Sequence, residues 1–441
     1  MRIVIIGGVS AGVSAAINAR KQDPKAEIII YEKDSFFSYM TSGMSYYIGG
    51  EISAFSELTP HDTKTFEDKY QVKVQLQCEV DRVDPELKEI SIKKLSTGES
   101  FLDHYDKLIL ATGSTSFVPA IEGFTKEHVF TFRTLKDSKA IHDYITTNHP
   151  CCACIVGSGY TALELAENLT LLDIDVTILE KEHQILPNYD LDMAELVEQE
   201  LMEEQVRVIK NNSVIEIQKD HVILEDEALV EAQIVIFCTG IRPNTSIAKE
   251  LQLELGERDA IVIDEFMQTS REDIYACGDC ALVYSPLLNR LIYHPMETVA
   301  NKTGLIAGKN AAGGKVAYIG TIMTSIIKCF SYTVGMTGLT EKEAMREGIE
   351  IRVVKHVKID KSLLFQGEGM VIKAVADAKT NQLLGVQIVG KNGVDKRLDI
   401  FAVLIQLRAD YRVISQLDLS YAPPYATARD PIHYTGLLLE Q

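Results

Sequence analysis

The sequence predicts an α/β chain with two strand–glycine turn–helix–strand units and a strand-rich α+β C-terminal portion. Three observations carry this. Residues 1–33 read MRIVIIGGVSAGVSAAINARKQDPKAEIIIYEK. Residues 154–181 repeat that order as CIVGSGYTALELAENLTLLDIDVTILEK. From about residue 315 the pattern becomes strand-rich, without a linker or low-complexity break.

In the first unit, residues 3–6 form an apolar, largely β-branched run closed by Gly7 and Gly8. Ser10, Ala11 and Gly12 lead into a small-residue helix over 13–20, and a buried strand over 28–31 ends in Glu32 and Lys33. Glycines at such a turn let backbone approach a pyrophosphate. The helix N-terminus adds positive dipole, and the downstream acid binds ribose hydroxyls. Val9 occupies the second glycine position of that fingerprint. Two other readings compete. Arg2 followed by apolar and small residues resembles a signal peptide, but glycines interrupt the run. Residues 8–12 also match G-x-S-x-G, the strand-to-helix elbow that carries a hydrolase serine.

Residues 34–51 read as a turn leading into a short helix, 56–70 as a helix and 72–77 as a strand. Alternation over 80–94 predicts an antiparallel ribbon, and 105–113 (YDKLILATG...) a buried strand ending at a Thr-Gly turn. The second unit fits G-x-G-x-x-A at Gly157, Gly159 and Ala162, and its next strand, 176–179, ends in Glu180. An acid there, about 20 residues past the turn, favours NAD over NADP; Lys181 moderates the preference. Residues 232–240 close this unit with the same apolar-strand and Thr-Gly ending. Residues 269–280 and a helix over 297–312 follow the second unit yet read as part of the first, so the NAD unit is inserted. Strands at 351–356, 370–376 and 383–389, a helix over 395–406 and a proline turn at 421–425 complete the chain.

Composition narrows the partners. With a net charge of −19 over 441 residues, nucleic acid and anionic membrane are unfavourable partners. No apolar run reaches the ~18 residues of a membrane span. Eight cysteines without a signal peptide point to a reducing cytoplasm. Cys151, Cys152 and Cys154 lie along one strand and alternate in direction, so they cannot converge on a metal, and no metal site is expected. Cys277 and Cys280 have redox C-x-x-C spacing.

Together these motifs resemble the pyridine nucleotide-disulfide oxidoreductases of the glutathione reductase fold. Within them the chain is most similar to the coenzyme A-disulfide reductase, NADH oxidase and NADH peroxidase group. Residues 7–12, 105–113, 157–164, 239–244, 275–279, 338–341 and 421–425 carry the likeness. It implies an FAD-binding domain in two parts, 1–113 and 241–314, two Rossmann-like domains in all, with an NAD(P)-binding domain at 114–240. A dimerisation domain at 315–441 would make a homodimer.

The resemblance also implies site roles. Gly7, Gly8, Ser10, Ala11 and Gly12 would hold the flavin phosphate, which absorbs the hydrolase motif. Glu32 would bind the adenosine ribose, Thr112 and Gly113 would line the cofactor, and Asp279 would hold the ribityl chain. Ala300 and Asn301 would lie near the isoalloxazine. Gly157, Gly159 and Glu180 would hold the nicotinamide nucleotide. Tyr160 would cover the flavin until nicotinamide displaces it, with Glu164 beside the nicotinamide. Lys33, Ala111, Arg133, Tyr189, Gly240 and Val299 are further candidate cofactor contacts.

The chain departs from the family at the redox residue. The segment 38–50 places Ser42 where the family carries its cysteine, with Met44 and Ser45 in place of Leu and Pro. Ser10 stands where oxidase and peroxidase members have histidine. Tyr421 matches one of two tyrosines that coenzyme A-disulfide reductases contribute from the partner subunit, whereas residues 361–365 supply no second one. A serine hydroxyl cannot cycle through sulfenic acid or mixed disulfide as a thiol does. The expected function is therefore FAD-dependent oxidation of NADH, with NADPH possible. Oxygen, a quinone, a dye or a small electron-carrier protein would take the electrons without a protein thiol. Two alternatives stay open: the family's thiol chemistry, if Ser42 is an engineered change or Cys280 stands in, and a non-catalytic flavoprotein redox sensor.

Overall fold

A computed structural model describes residues 1–441. The chain packs as two compact units. The first comprises residues 1–117, 133–140 and 240–321; the second comprises 118–132, 141–239 and 322–441.

The first unit is built on a five-stranded parallel sheet. Its order is Ile274–Ala276, Lys107–Leu110, Arg2–Ile6, Glu27–Tyr31 and Lys73–Gln75. Arg2–Ile6 sits in the middle, so its isoleucines and valine are sealed on both faces, at 0–7 % exposure. The first helix, Ser10–Gln22, returns the chain to Glu27–Tyr31. A second helix, Glu297–Ala311, packs on it at very short range. A methyl group added at Gly304 would lie 2.2 Å from the Ala11 carbonyl oxygen, and one at Gly308 would lie 2.0 Å from that of Ala15. Small residues on both helices let the backbones touch. This contact and the pairing of Ile274–Ala276 with Lys107–Leu110 bring the late segment into the first unit, as the sequence order suggests.

One reading needs correction. Residues 56–70 are not one helix: a 3-10 turn spans Phe55–Leu58 and the helix proper is Thr63–Tyr70, capped by Asp62. Pro60 lies in the gap, where it disfavours helical backbone at the residue before it. The antiparallel ribbon expected over 80–94 is present as Cys78–Asp84 and Glu89–Lys94, and Ser100–His104 extends it by a third strand.

The second unit contains another five-stranded parallel sheet. Its order is Arg207–Ile209, Asp175–Leu179, Cys152–Val156, Ile234–Phe237 and Val129–Thr131. Helix Tyr160–Thr170 follows the glycine turn. The same unit holds a five-stranded antiparallel sheet, ordered Ser325–Cys329, Tyr332–Gly338, Leu383–Gly390, Gly369–Asp377 and Ile351–Ile359. Helix Val394–Gln406 lies on this sheet, and Arg397 on it is fully buried against Asp430 at 2.7 Å. No helix is long and apolar enough to cross a membrane.

Candidate active site

In the first unit the opening turn is shaped by backbone. Gly7 has φ +106°, and a Cβ there would lie 2.1 Å from the Ala111 carbonyl oxygen; at Gly12 it would lie 1.9 Å from that of Gly7. Only glycine fits both places. No side chain caps the helix that follows, whose N-cap is Val9, so its first amides remain available to an anion. Glu32, 6 % exposed, accepts the Gly8 N–H at 2.7 Å and the Asp34 N–H at 2.8 Å. Burial pushes its carboxyl up from the usual range, while the Asp34 and Gly8 amides oppose that shift. Lys33 beside it is exposed.

The same unit holds an ion-pair network. Arg133 donates to Asp279 at 2.6 Å, and both bond Ser114, at 3.0–3.1 Å from Arg133 and 3.0 Å from Asp279. Thr112 and Gly113 are tied to Asn244: Thr112 Oγ1 donates to the Asn244 carbonyl at 2.7 Å, and the Asn244 amide reaches the Gly113 carbonyl at 2.9 Å. Gly113 and Gly240 have positive φ with open space where a Cβ would sit. Gly278 packs against Ala11, and its N–H donates to Thr303. Val299, Ala300 and Ala111 are buried, whereas Asn301 is exposed and its carbonyl accepts from Ser14.

Ser42 lies exposed on the 3-10 turn Thr41–Gly43, just before helix Met44–Ile48. Three cysteines belong to the same unit, and all are buried: Cys78 at 3 %, Cys277 and Cys280 at 0 %. Cys280 donates to the carbonyls of Leu110 and Cys277, and burial raises both Cys277 and Cys280 above the ordinary thiol range. All eight cysteines of the chain are free. The C-x-x-C pair is core.

In the second unit Gly157 has φ +105°, and a Cβ there would press on the Cys238 carbonyl. Gly159 caps helix Tyr160–Thr170 without a side-chain bond. Glu180, 7 % exposed, accepts from the Ser158 hydroxyl and, at 3.0 Å, from the Glu182 amide. The Tyr160 hydroxyl meets the Ser325 hydroxyl at 2.7 Å. Tyr189 is only 1 % exposed; its ring meets that of Tyr160 edge-on, with centroids 6.2 Å apart. It is placed to pack behind Tyr160. Glu164 lies one helical turn after Tyr160, and its carbonyl accepts from Asn168. Tyr421, 55 % exposed, lies with the C-terminal elements of this unit.

Sequence reasoning missed several polar residues. Ser114, Ser158 and Glu297 carry no motif of their own. Tyr293 and His294 also went unmarked, and each buries an unpartnered polar atom, the Tyr293 hydroxyl and His294 Nε2. Burial pushes His294 down to about 4 and raises Tyr293 above its usual range, with Asp279 adding to the latter shift.

Two glycine turns, each followed by an uncapped helix and a buried acid, define a protein that handles two nucleotide cofactors. Turns that only glycine fits, the Arg133–Asp279 pair and unpaired buried polar atoms suit a flavin nucleotide. The class is a flavin- and nicotinamide-dependent oxidoreductase. The chain belongs to the pyridine nucleotide-disulphide oxidoreductases, whose family pattern matches residues 1–303, with the family's dimerisation domain matching residues 324–431. It is an FAD-dependent pyridine nucleotide oxidoreductase, it uses a nicotinamide cofactor, and it carries the domain through which the family dimerises. An NAD(P)H sulfur oxidoreductase (CoA-dependent) of Pyrococcus abyssi is 33 % identical, over 98 % of this chain and 96 % of that protein. An NAD-dependent persulfide reductase structure from A. fulgidus has TM-score 0.96 and 31 % identity, covering 100 % of this chain and 83 % of that one. A water-forming NADH oxidase from Lactobacillus brevis bound to NADH has TM-score 0.93 and 25 % identity, covering 100 % and 97 %.

Proposed function

We propose that this protein oxidises NADH through bound FAD and delivers the electrons directly to oxygen or an external acceptor, with no thiol relay on the polypeptide. FAD supplies the hydride-accepting ring, and the protein supplies binding and orientation. One observation carries the reading: the residue at the family's redox position is the exposed hydroxyl of Ser42, and every cysteine of the same unit is buried. The relatives named for sulfur compounds would need a thiolate for disulfide chemistry, and none is positioned here to replace it. Oxygen, a neutral quinone or a small electron-carrier protein remains as the acceptor.

The geometry supports the following residue roles. The turn 7–12 and the helix after it hold the flavin pyrophosphate, Glu32 the adenosine ribose, and the Arg133–Asp279 pair the ribityl side. In the second unit Glu180 selects NADH, because its carboxylate repels a 2′-phosphate. Lys181, which would soften that choice, faces Glu182 at 3.8 Å.

Anaerobic mixing with NADH tests the proposal. The flavin absorbance bleaches without a long-wavelength thiolate charge-transfer band, the thiol titre stays constant, and air then yields hydrogen peroxide. Appearance of two new thiols on reduction would sink it, as would flavin that stays oxidised in excess NADH and NADPH. Ser42→Cys restores a thiol at the redox position and introduces the missing charge-transfer band.

A further inference from the structure

The first residue of helix Glu297–Ala311 is not used by the reading above. Glu297 Oε1 accepts the Ser10 hydroxyl at 3.3 Å, and Oε2 accepts the Thr41 hydroxyl at 3.0 Å. Ser10 belongs to the cofactor turn, and Thr41 is the neighbour of Ser42. The carboxylate therefore bridges two sites that lie 287 and 256 residues before it in sequence. Its position is fixed from behind by the glycine-to-carbonyl contacts of Gly304 and Gly308 with the first helix. Both partners are hydroxyls, which orient the carboxylate and leave its charge in place. Glu297, like Ser42, is exposed, so the charge faces whatever reaches that residue.

We propose that Glu297 is the specificity-determining residue for the electron acceptor: its fixed negative charge turns away anionic acceptors and leaves neutral two-electron acceptors of the quinone class as the substrates. This rests on the reading that Ser42 marks the redox position. The overall step balances without a protein group being consumed. NADH gives up a hydride, water supplies one proton, and the quinone takes two electrons and two protons to become the hydroquinone. An anionic acceptor of equal driving force carries its charge toward Glu297 and meets repulsion in a setting where effective dielectric is well below that of water. A charge-free amide of the same shape keeps the two hydroxyl contacts and removes the repulsion.

The test compares wild type with Glu297→Gln and Glu297→Asp, each as the flavin-loaded protein. Sulfite, an anion that adds to oxidised flavin and bleaches it, is titrated as a binding probe. Turnover with NADH is then measured against ferricyanide, an anion, and menadione, a neutral quinone. In E297Q the sulfite dissociation constant falls about tenfold, and the ratio of kcat/KM for ferricyanide over menadione rises about tenfold, the order expected for one surface-proximal charge. E297D retains the wild-type values of both. Unchanged sulfite affinity and an unchanged acceptor ratio in E297Q, with flavin bound and reducible by NADH, overturn the assignment of Glu297 alone. Failure of NADH to reduce the wild-type flavin overturns the underlying function and with it this inference.

Discussion

The hydroxyl of Tyr160, at the start of the helix after the second glycine turn, is held by the hydroxyl of Ser325 at 2.7 Å. Ser325 opens the first strand of the antiparallel sheet, so the dimerisation domain holds the residue that adjoins the second glycine turn. If Tyr160 shifts when nicotinamide binds, that hydrogen bond resists the shift. Ser325→Ala then lowers the dissociation constant for NADH about fivefold, the equivalent of ~1 kcal/mol for one hydrogen bond. Fluorescence titration measures it. An unchanged constant would mean that Tyr160 stays in place.

On the proposed reading Glu180 sets nucleotide choice. Glu180→Ala removes the acceptor for the ribose hydroxyl and the repulsion of a 2′-phosphate. The NADH/NADPH ratio of kcat/KM falls by about one to two orders of magnitude. Steady-state kinetics with the two nucleotides checks this.

Asp279 and Arg133 are 13 % and 25 % exposed at the side chain and meet at 2.6 Å. Asp279→Asn removes the charge that Arg133 pairs with at the proposed flavin site and leaves it only Ser114. The variant purifies with a flavin-to-protein ratio well below wild type, and added FAD binds at least ~10-fold more weakly. Absorbance of the desalted protein reads both.

Lys373, 5 % exposed, ties Asp190, Asp192 and Glu341 together at 2.7–3.1 Å. Lys373→Met leaves Asp190 buried without its cation and destabilises the second unit by about 3 kcal/mol, read by urea unfolding. The bonds to Lys373 hold the Asp192 carboxyl below its ordinary 3.8, against the cost of burial. Its folded pKa is depressed, so this contribution is present above about pH 4. It is lost as pH falls through the lower folded value, and K373M flattens that acid limb. On the alkaline side Lys373 is raised above its ordinary 10.5, so its contribution is full below about pH 10.5 and is lost as pH rises from there through the higher folded value.

Local signals in the sequence carried the architecture. Gly7, Gly12 and Gly157 are visible because only one residue type fits those turns, and the buried strands because apolar β-branched runs have few other uses. The helix at 297–311 was legible, but its grip on the first helix was not. That grip depends on where Gly304 and Gly308 land against Ala11 and Ala15. Arg133–Asp279 and Glu297–Thr41 escaped for the same reason, since each joins side chains more than 100 residues apart that share no motif. Strands Ser325–Cys329 and Tyr332–Gly338 were missed because serine, threonine, lysine and glycine dilute their apolar pattern. Tyr189 lies buried against Tyr160, a contact that no sequence motif announces. Burial of that kind is decided by tertiary packing.

The close crossing of the first helix with Glu297–Ala311 also imposes an order of assembly. All strands of the second parallel sheet have left the ribosome by residue 237, whereas the opening helix waits for residue 311 before its small-residue face has anything to cover it. The half of the protein that is translated first is thus finished later than the fold inserted within it. During synthesis the stripe of Ala11 and Ala15 therefore stays uncovered until helix Glu297–Ala311 has been made.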